Sequence, residues 1–314
     1  MELQFLGTGA GMPSKQRNTS AVVLNLSAEG EGYWLFDCGE ATQHQFLYTT
    51  LKPRKINKIF ITHLHGDHIF GLPGLLGSRS FLGGDEPLEV YGPRGIKEWL
   101  ETTLRISTTH LTYELIIHEI EEGVICETAD FRIMARELRH VIPCFGYRIE
   151  QKPLPGKLLM EKIEEAGIPK GPWLKDLKMG EDITLPDGRF VLSQDVTGEP
   201  QPGFIVSILG DTSYCSSAVN LAENADVLVH EATFDMETGN LAKEYGHSTI
   251  GDAAKTAKKA NAGTLIATHI SARFMPSDLV KLREQGLAIH PRIYIAEDFA
   301  RFEWKDGVVL PLTE

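Results

Sequence analysis

Residues 62–68 read Thr62-His63-Leu64-His65-Gly66-Asp67-His68, and this run decides how the rest of the chain is read. Imidazole nitrogens and a carboxylate are donors that suit zinc and its neighbours. Three histidines and an aspartate placed this closely crowd a single four-coordinate ion, so the run points to two. His63 and His65 stand two apart and project the same way from an extended backbone. Gly66 lets the chain bend, which carries Asp67 and His68 toward a second ion. The preceding Lys58-Ile59-Phe60-Ile61-Thr62 is short, β-branched and aromatic. It predicts a buried strand that ends where the histidines begin.

Two ions need more donors, and the chain offers them after other apolar segments. Phe204-Ile205-Val206-Ser207-Ile208-Leu209 leads into Gly210-Asp211-Thr212, Leu265-Ile266-Ala267-Thr268 leads into His269, and the segment from Phe131 to Leu138 is followed by His140. Each segment is predicted to be a strand, and side chains at strand C-termini converge on the crevice where open α/β sheets carry their sites. An isolated aspartate after a strand is ordinarily a turn former, and a lone histidine is ordinarily packed. Beside a run that requires partners of these types, both become candidate ligands.

The run HxHxDH, a later histidine, an aspartate after a strand and a final histidine together resemble the metallo-β-lactamase superfamily and, within it, the short-form ribonuclease Z family. The resemblance includes Pro13-Ser14-Lys15-Gln16-Arg17-Asn18, Phe36-Asp37-Cys38-Gly39-Glu40, His230-Glu231-Ala232-Thr233, His247-Ser248-Thr249 and His269-Ile270-Ser271-Ala272-Arg273, and it spans nearly the whole chain. It implies that His63, His65 and His140 hold one zinc, that Asp67, His68 and His269 hold a second, and that Asp211 bridges them. Two cations about 3.5 to 4 Å apart acidify a water and clamp the attacking and departing oxygens of a phosphodiester. The resemblance also makes Asp67 the acceptor of the water proton and His247 the donor to the leaving oxygen, with Glu231 holding the imidazole tautomer. Read without the resemblance, His230-Glu231 is a strand end before a helix start, and His247 lies just ahead of a Ser or Thr N-cap. Ligand type alone leaves zinc and manganese both open.

Strands predicted to end at Asp37, His63, Asp211, His230 and His269 recur in both halves, with helical patterns between them. This suits a single metallo-β-lactamase-like domain over residues 1–314, an α/β chain folded as an αββα sandwich, rather than two independent domains. The clearest helix is the Ala-rich stretch Gly251 to Ala262, opened by Ser248 or Thr249 and closed near Gly263. At 314 residues the chain can bury a sizeable core. No apolar stretch reaches the length of about 18 residues that marks a membrane span, and Glu2-Leu3-Gln4-Phe5-Leu6 reads as a strand rather than a leader. A cytoplasmic protein without membrane contact is expected. Cys38, Cys126, Cys144 and Cys215 show no CxxC spacing and read as small buried apolar residues. Gly7-Thr8-Gly9-Ala10-Gly11 is followed by Met12, which leaves the dinucleotide fingerprint incomplete and predicts a tight loop beside the metal site.

The formal net charge is −12, whereas nucleic-acid-binding proteins ordinarily carry a basic excess. Charge need only be local, however. Lysine and arginine concentrate at Lys52-Pro53-Arg54-Lys55-Ile56-Asn57-Lys58, at Lys15 and Arg17, and along an arm from roughly Gln151 to Arg189. Bound cations add positive charge that the count misses. The arm mixes Lys152, Lys157, Lys162, Lys170, Lys175 and Lys178 with almost as many acids, around several prolines and glycines. A segment this long inside a compact fold is functional or mobile. The resemblance implies an inserted protruding arm that grips the tRNA elbow through backbone phosphates, with Gly171-Pro172 as the family's glycine-proline motif and Lys175 among its contacts. It adds Lys15, Arg17 and Arg273 as substrate-binding residues, and a homodimer in which one subunit's arm holds the substrate cut in the other.

The expected function is a zinc-dependent endoribonuclease that removes the 3′ trailer from precursor tRNA. A hydrolase of small esters would share the ligands without needing the arm. A catalytically silent RNA-binding subunit would not be expected to keep costly metal ligands clustered.

Overall fold

The computed structural model describes residues 1–305 and 307–312. The first half of the chain builds one sheet from β1 (Glu2–Gly7), β2 (Ala21–Asn25), β3 (Tyr33–Phe36), β4 (Ile56–Phe60), β5 (Leu88–Gly92) and β6 (Leu115–Glu119). A second sheet follows, made of β7 (Gly123–Glu127), β8 (Phe131–Glu137), β9 (Phe145–Gln151), β10 (Ile205–Leu209), β11 (Val227–Glu231), β12 (Thr264–Thr268) and β13 (Ile293–Ile295). The chain then returns to the first sheet, where β14 (Arg301–Lys305) pairs antiparallel with β1 and β15 (Val308–Pro311) pairs with β14. Both sheets follow one plan, in which an antiparallel meander passes into parallel strands, from β3 onto β4 in one and from β10 onto β11 in the other. Parallel neighbours present their C-terminal ends along one edge, and the loops there carry the residues of interest.

Alternation of side chains along each strand builds the layers. Val22, Leu24, Trp34, Phe36 and Phe60 face the space between the sheets, while Val23, Leu35 and Ile59 face outward. In the second sheet Val206, Val229 and Ile266 face inward and Leu228, Leu265 and Ala267 outward. Helices α1 (Leu72–Phe81) and α2 (Ile96–Ile106) cover one outer face through Leu72, Leu75, Leu76, Ile96 and Leu100. Helices α3 (Ile250–Lys259) and α4 (Pro276–Leu287) cover the other through Ala253, Ala254, Ala257 and Leu282. Apolar layers between helix, sheet, sheet and helix make the αββα sandwich. At its centre the rings of Trp34, Phe36, Phe60 and Tyr147 pack with centroids 4.9 to 6.0 Å apart, the range aromatic pairs favour.

Several boundaries differ from the sequence reading, each for a local reason. Strand β4 stops at Phe60 instead of Thr62 because the chain turns to the opposite sheet. The Ile61 carbonyl accepts the Tyr147 hydroxyl at 2.5 Å, and the Thr62 carbonyl accepts the Phe145 N–H at 2.9 Å. Helix α3 begins at Ile250 behind a capping box, in which the Thr249 hydroxyl accepts the Asp252 N–H and the Asp252 carboxylate accepts the Thr249 N–H. It closes at Lys259, before Ala262, because Asn261 turns left-handed and the Ala262 N–H bonds back to Ala257. Cys38 and Cys144 are buried as expected, whereas Cys126 and Cys215 are only half-buried.

The arm is longer than the expected 151–189, running from the end of β9 to the start of β10 as residues 152–204. Its return limb belongs to it because Leu154 pairs with Gln201 and Leu158 with Thr197. Ile163, Ile168, Leu177, Leu185 and Val196 form a small core of its own. Among the described residues no helix is long and apolar enough to cross a membrane.

Candidate metal centre

His63 and His65 follow β4, and Asp67 and His68 lie in the single helical turn Gly66–Ile69. His140 sits between β8 and β9, Asp211 follows β10, and His269 follows β12. The fold brings all seven together. The sets His63, His65 and His140; His63, His68 and Asp211; and Asp67, His68 and His269 each hold their donor atoms within 4.8 Å of one another. Asp211 Oδ2 is the shared point, 3.7 Å from His63 Nε2, 3.6 Å from His68 Nε2 and 3.4 Å from His269 Nε2. On one side His65 Nδ1 lies 3.1 Å from His63 Nε2 and 3.4 Å from His140 Nε2. On the other, Asp67 Oδ2 lies 3.5 Å from His68 Nε2 and 3.3 Å from His269 Nε2.

The rings are aimed by partners on their far nitrogens. His63 Nδ1 pairs with Thr62 Oγ1 at 3.0 Å, His68 Nδ1 with Asp37 Oδ2 at 2.7 Å, His140 Nδ1 with the Gly246 carbonyl at 2.9 Å, and His269 Nδ1 with Thr233 Oγ1 at 2.9 Å. One anchored nitrogen and one turned to the centre is the arrangement of metal-ligating histidines. His68 Nε2 is buried and has no hydrogen-bond partner among the described residues, a costly state for a polar atom that a cation would relieve. This orphaned nitrogen and the mixed His and Asp donors fit zinc or manganese. His/Asp clusters here could therefore hold metal.

Asp37 and Thr233 were not singled out as site residues from the sequence. Asp37 also accepts the Thr62 N–H at 2.8 Å, so it orients both sides of the run. Its φ of 56° and that of His269, 55°, lie in the left-handed region, where a non-glycine residue is strained. The available signal for Asp37 was its place directly after β3, which pairs in parallel with β4 at Phe36 and Phe60.

Burial raises the Asp67 and Asp211 carboxyls, but His269 and His68 outweigh it and hold both below the usual carboxylate range. Burial, then the charge of His68, pushes His63 well below the ordinary histidine value. That favours the neutral ring, the form that binds metal.

Beside this cluster lies a second unit. Glu231, at the end of β11, is 1 % exposed. Its Oε1 accepts the Thr212 N–H at 3.0 Å and lies 2.8 Å from His247 Nδ1, while Oε2 accepts the Thr233 hydroxyl at 2.7 Å. Burial disfavours the charged His247 ring, but the hydrogen bond and charge of Glu231 raise it to about 9. Ser248 and Thr249 just beyond serve the local fold, with the Ser248 hydroxyl donating to the Thr212 carbonyl at 2.5 Å and Thr249 capping α3. His247 lines a cleft of about 420 Å³ together with His65, Asp67, His140, Asp211 and His269.

The glycine-rich loop lies beside the centre as the sequence predicts. The Gly11 N–H donates to Asp67 Oδ2 at 2.8 Å, and Gly9–Ala10 pairs with Ile270–Ser271. Gly39 is required for space, since a Cβ there would stand 2.4 Å from the Asp67 carbonyl oxygen. Lys15, Pro172, Lys175 and Arg273 are exposed, and the Arg273 guanidinium rests 4.8 Å above the Phe234 ring in the cleft. Arg17 corrects the expectation of a substrate contact. It is 8 % exposed, and its guanidinium donates to Thr8 Oγ1 at 2.6 Å and to the Ala296 carbonyl at 2.5 Å. It anchors the loop from within. Gly171 lies against the Trp173 indole, where a Cβ would come within 2.3 Å of the ring.

Two packed sheets of this order, flanked by helices and carrying histidine and aspartate clusters along one edge, define a protein of the metallo-β-lactamase fold. YhfI from Bacillus subtilis, a metallo-β-lactamase fold protein, has the same fold at a TM-score of 0.67 and 21% identity, over 96% of this chain and 99% of that one. Within that class, the chain belongs to the ribonuclease Z family. It is 57% identical over 315 residues to ribonuclease Z of Limosilactobacillus fermentum, covering 100% of both chains. It is 54% identical over 300 residues to ribonuclease Z of Bacillus velezensis, covering 95% of this chain and 97% of the relative. The crystal structure of human tRNase Z, short form (ELAC1), is similar at a TM-score of 0.71 and 32% identity, over 96% of this chain and 99% of that one. The family described as anti-Pycsar protein Apyc1 matches residues 1–154.

Proposed function

We propose that this chain is a metal-dependent endoribonuclease that removes the 3′ trailer from precursor tRNA, leaving a 3′-hydroxyl on the tRNA and a 5′-phosphate on the trailer. The observation that carries the reading is His247, backed by the buried Glu231, lining one cleft with the clustered His and Asp donors. High identity to proteins named ribonuclease Z supports it.

In this reading His63, His65 and His140 would hold one zinc, Asp67, His68 and His269 would hold a second, and Asp211 would serve both; manganese accepts the same donors. When bound, two such cations acidify a water and neutralise charge on the phosphate oxygens. Asp67 accepts the proton of the attacking water, kept in orientation by the Gly11 N–H. As the bond between phosphorus and the 3′ oxygen breaks, His247 donates a proton to that oxygen. Glu231 occupies Nδ1 and sustains the protonated ring, which leaves Nε2 for this transfer.

Lys15 and Arg273 approach phosphates near the cut. Lys175 and the turn around Gly171-Pro172 belong to an arm that holds the tRNA elbow, reading shape through the backbone. The enzyme works in the cytoplasm as a homodimer, one subunit's arm holding the tRNA cut in the other.

The test is cleavage of a precursor tRNA with a short 3′ trailer, run beside a small chromogenic phosphodiester and an Asp67→Ala control. Cutting next to the discriminator nucleotide, lost in the control, is expected. Hydrolysis of the small diester alone would move the protein to a small-ester hydrolase.

A further inference from the structure

We propose that Tyr245 is a stacking platform for the base of the nucleotide whose 3′ oxygen departs, part of a base-binding subsite formed with Phe234 and Arg273 beside the metal centre. This deepens the endoribonuclease reading and rests on it. Tyr245 lines the cleft, yet 54% of it is exposed. It ends the helix Gly239–Tyr245, and Gly246, at a φ of 73°, turns the chain into His247. The turn is tied to the centre because the Gly246 carbonyl holds His140 Nδ1 at 2.9 Å.

The Tyr245 ring runs parallel to Phe234 within 3°, with centroids 6.4 Å apart. Phe234 is a fixed floor. It is 3% exposed, its N–H donates to the Ser248 carbonyl, and its own carbonyl accepts the Ile250 N–H. Arg273 rests over this floor, its guanidinium carbon 4.8 Å from the ring centroid and its Nε donating to Ser271 Oγ at 3.0 Å. The cleft therefore joins a charged centre to aromatic and guanidinium planes. Single-stranded nucleic acid is held by this combination, with the backbone drawn by charge and unstacked bases laid on flat side chains.

The side of the cut is assigned from proximity. His247, which serves the departing 3′ oxygen in the proposed reaction, has its ring centroid 6.2 Å from that of Phe234, and Phe234 lies parallel to Tyr245, so the aromatic pair neighbours the nucleoside that carries this oxygen. Stacking accepts any base, which suits an enzyme meeting many tRNA ends.

The experiment compares wild type, Tyr245→Ala and Tyr245→Phe on three precursor tRNAs. One is intact, one is abasic at the last tRNA nucleotide, and one is abasic at the first trailer nucleotide. Tyr245→Ala should lower kcat/KM about tenfold to a hundredfold on the intact and trailer-abasic substrates, and Tyr245→Phe should restore it. On the substrate lacking the last tRNA base the penalty should shrink to about twofold or less, as coupling between the two deletions requires. Equal penalties on all three substrates, or a penalty that follows the trailer base, overturn the proposal. A wild-type protein that cuts none of the three overturns the endoribonuclease reading and this subsite with it.

Discussion

The ligand-bearing edge of the sandwich and the inserted arm are built by opposite rules. At the edge, His63, His68, Asp211 and His269 are buried, and each of these histidines is aimed by a partner on its far nitrogen. In the arm a handful of apolar side chains make a separate core, while Lys152, Lys157, Lys162, Lys170, Lys175 and Lys178 all stand in solvent. Donor atoms must be held within fractions of an ångström, which takes buried hydrogen-bond partners. Attraction to a phosphate backbone needs only mobile charge within reach. On the proposed reading chemistry and grip are separable in this molecule, and mutations can test how far.

The largest effect is expected at the edge. His65→Ala removes a donor and should lower kcat by at least about a thousandfold with a loss of bound metal, read by single-turnover cleavage and elemental analysis of the purified protein. Full activity with a full metal complement would remove His65 from the ligand set. Asp37→Asn touches no substrate and tests the layer behind the ligands. It should weaken metal affinity about tenfold to a hundredfold, seen when activity is titrated with added ion after chelation. An unchanged titration would mean that Asp37 serves only the backbone of Thr62. The smallest change belongs to the arm. Lys175→Ala should raise KM for precursor tRNA a few-fold and reduce the salt dependence of binding by about one unit of slope. A fall in kcat as large as the rise in KM would tie the arm to the chemistry and erase the distinction.

The cluster of donors was legible in the run because its four members are local in sequence, and Asp211 and His269 were legible as its neighbours because strand ends have a pattern. The orienting residues were not. Asp37 reaches His68 and Thr233 reaches His269 only through the packing of separate strands, which no short window contains. Arg17 misled for the same reason. Its residue type suggests a phosphate, but Thr8 and Ala296, from opposite ends of the chain, enclose it. The end of the arm was missed because its return limb lacks the lysine-rich pattern and is defined by the pairing of Leu154 with Gln201. The sandwich itself was readable from recurring strand-end residues, whereas the end of β4 depended on a bond from the Phe145 N–H across to the other sheet.

Donors from the two sheets meet at one carboxylate oxygen of Asp211. In the proposed ligand sets each cation takes donors from both halves, His63 and His65 with His140 in one and Asp67 and His68 with His269 in the other, and so would also fasten the two sheets together. Ligands that bind only the folded state stabilise it by mass action, by about 1.4 kcal/mol for each tenfold rise in free ion above the dissociation constant. Chelation should then loosen the protein as well as silence it, and its melting temperature becomes a gauge of how much metal its surroundings supply.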